Sequence, residues 1–211
     1  MFGRAGEEIL FFRSRGFEPI IIPGVSSALA GPTFAGIPVT QRGVAESFVV
    51  CTGVGRSGKE IQLPGYQRSR TLLILMGVAR LVQVVGALTE GCDGETHASS
   101  VNGVARSNPR RDGSAYPLHT PIAIIERASM PDQRAVVSTL KDIVNAMENV
   151  GEQRPPGMIV VGWSVLALSG EGDVKVLDEG IDKDQKRVER WMDGCGWRVL
   201  KRLAEDWGEM M

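Results

Sequence analysis

Apolar and polar residues follow one another along this chain with a period that changes from segment to segment, and each change marks an element. In "RAGEEILFFRSRG" (4–16) Glu7 and Glu8 fall in the first turn and arginines precede Gly16, which predicts a helix. "FEPIIIPG" predicts a short buried strand ended by Pro23-Gly24. "VSSALAGPTFAG" predicts a helix start rich in small residues that Gly31-Pro32 cuts short. "SFVVC" and "RTLLILMG" are strand candidates, and "ARLVQVVGALTEG" places Leu81, Val84, Val85 and Leu88 on one helical face. The chain goes on through "PIAIIERAS" and "QRAVVSTL", the helix "KDIVNAMENV" and the strand "GMIVVGWSVL", a pattern that predicts a mixed sheet with few helices.

Two stretches read differently. Residues 91–118 are rich in Gly, Ser and Asn without any period, and are expected to form a disordered insertion. In the charged tail, Val188, Trp191, Met192 and Cys195 fall at helical spacing, and Leu200, Leu203 and Trp207 repeat it after Gly196. The predicted fold class is α/β, with the remnant of a first α/β lobe in residues 1–43 and a second lobe with a mixed sheet in 44–170. Residues 171–211 are then a helical tail docked on it.

Composition narrows the function. The chain has 211 residues, enough for one sizeable domain or one domain plus part of another. A formal net charge of -1 gives no global electrostatic reason for nucleic-acid or membrane binding, so an anionic ligand must meet local arginines. Apolar runs such as "MIVV" are far shorter than the ~18 residues a membrane span needs. The N-terminus carries acidic residues where a secretory signal has basic ones, so a cytoplasmic protein is expected. Three scattered cysteines and two separated histidines match neither a disulfide framework nor a metal-ligand spacing, and a metal-free protein is expected.

One motif invites a nucleotide reading. Gly53-x-x-x-x-Gly58-Lys59 is most of a phosphate-binding loop, and Gly53-x-Gly55-x-x-Gly58 has dinucleotide spacing. The magnesium-binding hydroxyl is replaced by Glu60, and Pro64-Gly65 leaves room for little more than one helical turn. Neither Val78 nor its neighbours Gly77 and Ala79 is the acidic residue that a dinucleotide site wants. Both nucleotide readings fail on context.

Other segments carry a more specific pattern. "FGRAGEE" (2–8), "IIPGVSSALAGPTFAGIPVTQRG" (21–43), "LLILMG" (72–77), "PIAIIERASMPDQRAVVSTL" (121–140) and "PPGMIVVGWSVLAL" (155–168) occur in this order. Together they resemble the uroporphyrinogen-III C-methyltransferases, within the tetrapyrrole methylases, over roughly residues 1–170 outside the insertion. The resemblance implies a tetrapyrrole-methylase fold, a homodimer, and transfer of methyl groups from S-adenosylmethionine to uroporphyrinogen III, giving precorrin-2 on the way to sirohaem and corrins. It implies donor contacts at Ser26, Ser27, Met76, Ala128 and Gly157. It also implies a substrate pocket containing Arg4, Glu7, Arg42 and Met76, with Arg4 helping to remove the proton lost after methylation. Guanidinium forks suit an acceptor that carries eight carboxylates.

On the residues alone the plainer readings stay open. "PGVSSA" also suits a tight strand-to-helix turn, Arg4 and Glu7 a solvated helix end, and Met76 a core position. The chain also departs from the family pattern. The family's opening strand, its glycine-rich "GPGDP" and "GGDP" loops and a catalytic acidic residue all precede the point where this chain begins. Gln41 stands where the family has His, and Arg127-Ala128-Ser129 where it has Asn-Ala-Thr. The 211 residues by themselves are therefore expected to bind the donor weakly or not at all. Two alternatives follow from the departures: an inactive fragment serving as a dimerising or regulatory module, or a methylase of a later corrinoid intermediate.

Overall fold

The structure is a computed structural model that describes residues 4–55, 61–91 and 110–201. Its helices are α1 (Ala5–Arg13), α2 (Ser27–Phe34), α3 (Leu81–Thr89), α4 (Ile143–Asn149) and α5 (Asp184–Met192). Its strands are β1 (Ser47–Thr52), β2 (Leu63–Pro64), β3 (Arg70–Leu75), β4 (Arg111–Asp112), β5 (Pro121–Glu126), β6 (Arg134–Thr139), β7 (Gly157–Val161) and β8 (Trp197–Lys201).

Six strands join in the order β1-β3-β7-β5-β6-β8, and β2 pairs with β4 separately. Within the six-stranded sheet the β1–β3 pair is parallel and the other neighbours are antiparallel, so this sheet is mixed, as its sequence predicts. The central strands are aliphatic on both faces because both faces are covered. On one face Leu72, Ile74, Ile122, Ile124, Val136 and Ile159 pack against α3 and α4. On the other, Leu73, Ala123, Ile125, Val137, Met158 and Val160 pack with Ile37 and Val165. A third cluster, with Val44, Trp163, Val176, Val188 and Met192, lies under α5.

Four expectations are revised. "FEPIIIPG" forms no strand: Ile20 is 89% and Ile22 83% exposed, and this run has no ladder partner among the described residues. An apolar run becomes a strand only where neighbouring backbone is there to pair with it. Next, α2 runs through Pro32 to Phe34 instead of stopping before it. The proline sacrifices one intrahelical bond, but Ala35 N–H still donates to Gly31 O at 3.2 Å, and Thr33 Oγ1 to Leu29 O at 2.8 Å.

Of the expected insertion, residues 92–109 lie outside the described part, whereas 110–118 is folded against the body. There the buried Arg111 donates to the carbonyls of Ala87 and Leu88 at the C-terminal end of α3 and to that of Glu90 just beyond it. Finally, residues 197–201 are strand where a helix is predicted. Trp197 joins the core on one sheet face and Leu200 the core on the other, the two-residue alternation of a strand. The open edge of β6 supplies the backbone partners, with Ser138 opposite Trp197 and Ala135 opposite Leu200. Leu203 and Trp207 lie outside the described residues.

Buried ion pairs fasten the tail. Arg68 grips Asp184 with two bonds, at 2.8 and 2.6 Å, and gives a third to Glu179 O. Arg187 pairs with Asp173 and, at 2.8 Å, with Glu179.

Candidate active site

The strand directions bring three turns to one end of the sheet. β3 and β5 finish where β7 starts: Leu75 pairs with Met158, and Glu126 with Gly157. Met76, the Arg127-Ala128-Ser129 turn and Gly157 therefore share this end. α2 packs against the same two strands, β3 and β7. A Cβ added to Gly31 in that helix would come within 2.6 Å of Met158 Sδ and 3.9 Å of Ala128 Cβ, so a larger residue there would displace the Met158 side chain. Ser26 caps α2, accepting from Ala28 N–H at 3.3 Å, and Ser27 opens it; both are exposed.

Backbone conformation singles out the same place. Met76, Arg127 and Ser129 have φ of 56°, 51° and 70°, in the left-handed region that ordinary residues enter at a cost. Met76 is 57% exposed, so the core position that its sequence also suits is not what it occupies. Beneath the Arg127–Ser129 turn lies a buried ion pair. Arg134 donates to Glu126, to Val150 O at 2.9 Å and to Glu152 O at 2.6 Å, and Glu126 also accepts from Arg154 N–H at 2.8 Å. Arg127 pairs with Asp132 at 2.7 Å, which holds that carboxyl below its ordinary pKa. The buried charges of "ERASMPDQR" are the signal by which the sequence could have flagged this support.

The glycine-rich loop falls at this end too, in another role. Gly53 N–H donates to Leu75 O at 2.7 Å, and a Cβ on Gly53 would lie 2.5 Å from Gly77 Cα. Gly53 lets one turn lie flat on the Met76 turn; residues 56–60 lie outside the described part. Beside it, the half-buried Cys51 has its thiol pKa pushed up to about 12 by burial, which keeps the sulfur protonated and unreactive.

The remaining predicted residues lie elsewhere. Arg4 and Glu7 pair with each other at 2.5 Å on α1, a helix with no buried residue, and their side chains are 81% and 62% exposed. The Glu7 carboxylate raises the Arg4 pKa above its ordinary value. Arg42 is exposed in a tight turn closed by a Gln41–Ala45 bridge. That turn leads into the start of β1, where Glu46 N–H bonds Ser69 O just before β3. Because β1 and β3 are parallel, Arg42 lies at the opposite end of the sheet from Met76. A concavity of about 690 Å³ under the tail contains none of these residues, and Arg187 within it is already paired with carboxylates.

Residues 1–144 match the family model of the tetrapyrrole (corrin/porphyrin) methylases. The chain belongs to the tetrapyrrole methylase family. It is 42% identical over 168 residues to a Schizosaccharomyces pombe protein named "Probable uroporphyrinogen-III C-methyltransferase", covering 80% of this chain and 29% of that protein. It is 39% identical over 180 residues to the uroporphyrinogen-III C-methyltransferase of Saccharomyces cerevisiae, covering 85% of this chain and 26% of that one. Its fold matches the crystal structure of uroporphyrin-III C-methyl transferase from Thermus thermophilus complexed with S-adenosylhomocysteine, with a TM-score of 0.54 and 31% identity. That match covers 85% of this chain and 66% of the other. The chain thus spans less than a third of the two curated fungal relatives. Among the described residues, no helix is long and apolar enough to cross a membrane.

Gly31, Gly77 and Gly157 allow close packing at this end of the sheet: a Cβ on Gly77 would come within 3.0 Å of the Ile159 and Ile74 side chains. A Cβ on Gly157 would meet Val78 Cγ2 at 3.2 Å and Ile125 O at 3.3 Å.

Proposed function

We propose that this chain takes part in S-adenosylmethionine-dependent C-methylation of uroporphyrinogen III to precorrin-2, and that its sheet end forms one wall of the donor site. The observation that carries this reading is the convergence of Met76, Ala128 and Gly157 with α2 at one end of the sheet, in a chain of this family. In the proposed site Ser26 and Ser27 stand at the start of α2, with Ser27 facing solvent and free to meet polar groups of the donor. Bound there, the donor supplies a methyl on a sulfonium, a leaving group that needs no metal.

The wall's task is to hold one geometry and keep water out, because displacement at carbon rewards alignment above all. Arg4 serves best as a cation for acceptor carboxylates, because a guanidinium stays charged at neutral pH and donates in a fork, which favours a binding role over proton removal. Arg42, at the far end of the sheet, is left outside this pocket. We take the working form to be a cytoplasmic homodimer.

Incubation with uroporphyrinogen III and methyl-labelled S-adenosylmethionine tests the reading. Label appearing in a dimethylated tetrapyrrole supports it. Donor binding without transfer supports the donor-wall reading and limits the chain to that role. Absence of both overturns it.

A further inference from the structure

We propose that Gln133 is a positioning residue for donor binding: its side-chain amide ties the Arg127–Ser129 turn to the C-terminal end of α2 and so sets the spacing between them. The inference rests on the reading of this sheet end as the donor wall.

Gln133 is 6% exposed at the entry to β6. Its Oε1 accepts from Ser129 N–H at 2.7 Å, and its Nε2 donates to Phe34 O at 2.9 Å. The two partners fix the orientation of the amide, since one offers only a donor and the other only an acceptor. Phe34 O is one of the last carbonyls of α2, with no helical N–H to receive. Ser129 is a non-glycine residue at φ 70°, a conformation that must be held by its surroundings. One side chain therefore satisfies both strained or orphaned groups, and they belong to the two segments that frame Ala128. Ala128 lies between the turn's two left-handed residues and faces Gly31 of α2.

Among the standard side chains of this size, only a primary amide does both jobs. A glutamate keeps the acceptor for Ser129 but turns oxygen towards the Phe34 carbonyl; a leucine keeps neither bond. The ion pair of Glu126 and Arg134 supports the turn from the side of the 150–154 loop, whereas the amide of Gln133 supplies the hydrogen bonds that join the turn to α2.

The test uses the whole chain with Gln133→Leu, Gln133→Glu and, as control, Val136→Ala. Val136 is fully buried in β6 but packs into the core on the opposite face of the sheet. Two readouts are taken beside the melting temperature: amide hydrogen exchange at Ser129 and at residues 35–37, and calorimetric titration with S-adenosylhomocysteine. Gln133→Leu is expected to speed exchange at both places and weaken affinity about tenfold, the scale of one lost buried hydrogen bond. Gln133→Glu is expected to keep Ser129 protected, release residues 35–37 and also weaken affinity. Val136→Ala is expected to lower the melting temperature without moving either readout. Unchanged exchange at Ser129 in Gln133→Leu overturns the link. Faster exchange with unchanged affinity, or an equal affinity loss in the control, overturns the positioning role. No binding by the unaltered chain overturns the donor-wall reading, and with it the donor half of this inference; the exchange data then still decide whether Gln133 couples the two segments.

Discussion

The sheet end around Met76 and the segment from Arg4 to Val25 carry family motifs of similar length, yet they stand in opposite physical states. At the sheet end every supporting strand is buried on both faces, and turns with costly backbone angles are held by specific bonds. In the N-terminal segment Leu10, Phe11, Phe17, Ile20, Ile21, Ile22 and Val25 are all exposed, and α1 buries nothing. So many exposed large apolar side chains in one segment leave it without a packed core of its own. A motif reports what a segment does once it is packed; the packing itself comes from the rest of the fold.

The sharpest way to test that contrast is to cut support on the packed side. Arg134→Ala leaves Glu126 buried with its charge unpaired and takes the donor from two backbone carbonyls, those of Val150 and Glu152. A loss of about 3–5 kcal/mol in urea unfolding is expected. A loss within the range of ordinary surface changes would show that the sheet end is less tightly built than its burial implies.

Next comes Gly53→Ala. Its methyl would meet the Gly77 backbone, which cannot swing aside as a side chain would, so a loss of about 1–3 kcal/mol is expected. A stable variant would break the packing explanation for this glycine. ATP binding by the unaltered chain, read by calorimetry, would restore the phosphate-loop reading instead.

How much of this was legible in the sequence follows from the same contrast. The central strands were readable because "TLLIL", "AII" and "MIVV" are aliphatic runs that only a doubly covered sheet accommodates. The strand at 197–201 was not, because Trp197 and Leu200 are three apart and match a helix as well as two opposite strand faces. The run "PIIIP" looked like a strand for its composition, although a strand also needs a neighbour that composition does not reveal. At the candidate site, Met76, Ala128 and Gly157 were found through family resemblance, and the register of β3, β5 and β7 brings them together. Gln133 was missed, because a glutamine between Asp132 and Arg134 reads as a polar turn until both of its partners are seen.

A smaller effect separates the two regions by pH. His119, beside Trp163 in the folded body, has its pKa lowered by burial, with Asp184 pulling weakly the other way. Its Nε2 is buried without a partner. Because the folded pKa lies below the unfolded value of about 6.5, the unfolded chain takes up the proton first as pH falls. Stability is therefore whole above about pH 6.5 and declines as pH drops towards and through the folded pKa. Chemical denaturation at stepped pH should show that decline, and His119→Gln should flatten it. An identical slope in the variant would mean that His119 is not the titrating group.

The smallest effect on stability belongs to Arg4→Ala, and it tests the exposed side of the comparison. The Arg4–Glu7 pair is open to water, where an ion pair gains little over solvation, so the melting curve should be unchanged. If Arg4 is a cation for acceptor carboxylates, its loss should instead appear in methyl transfer, with KM for uroporphyrinogen III raised and S-adenosylhomocysteine affinity retained. Charge reversal at Glu7 sharpens the point: Glu7→Lys removes the partner while adding a second cation, so it should spare acceptor binding where Arg4→Ala impairs it. Equal turnover in Arg4→Ala and the unaltered chain would leave α1 as solvated surface. A lowered melting temperature would instead mean that α1 is packed in solution, contrary to the exposure seen here.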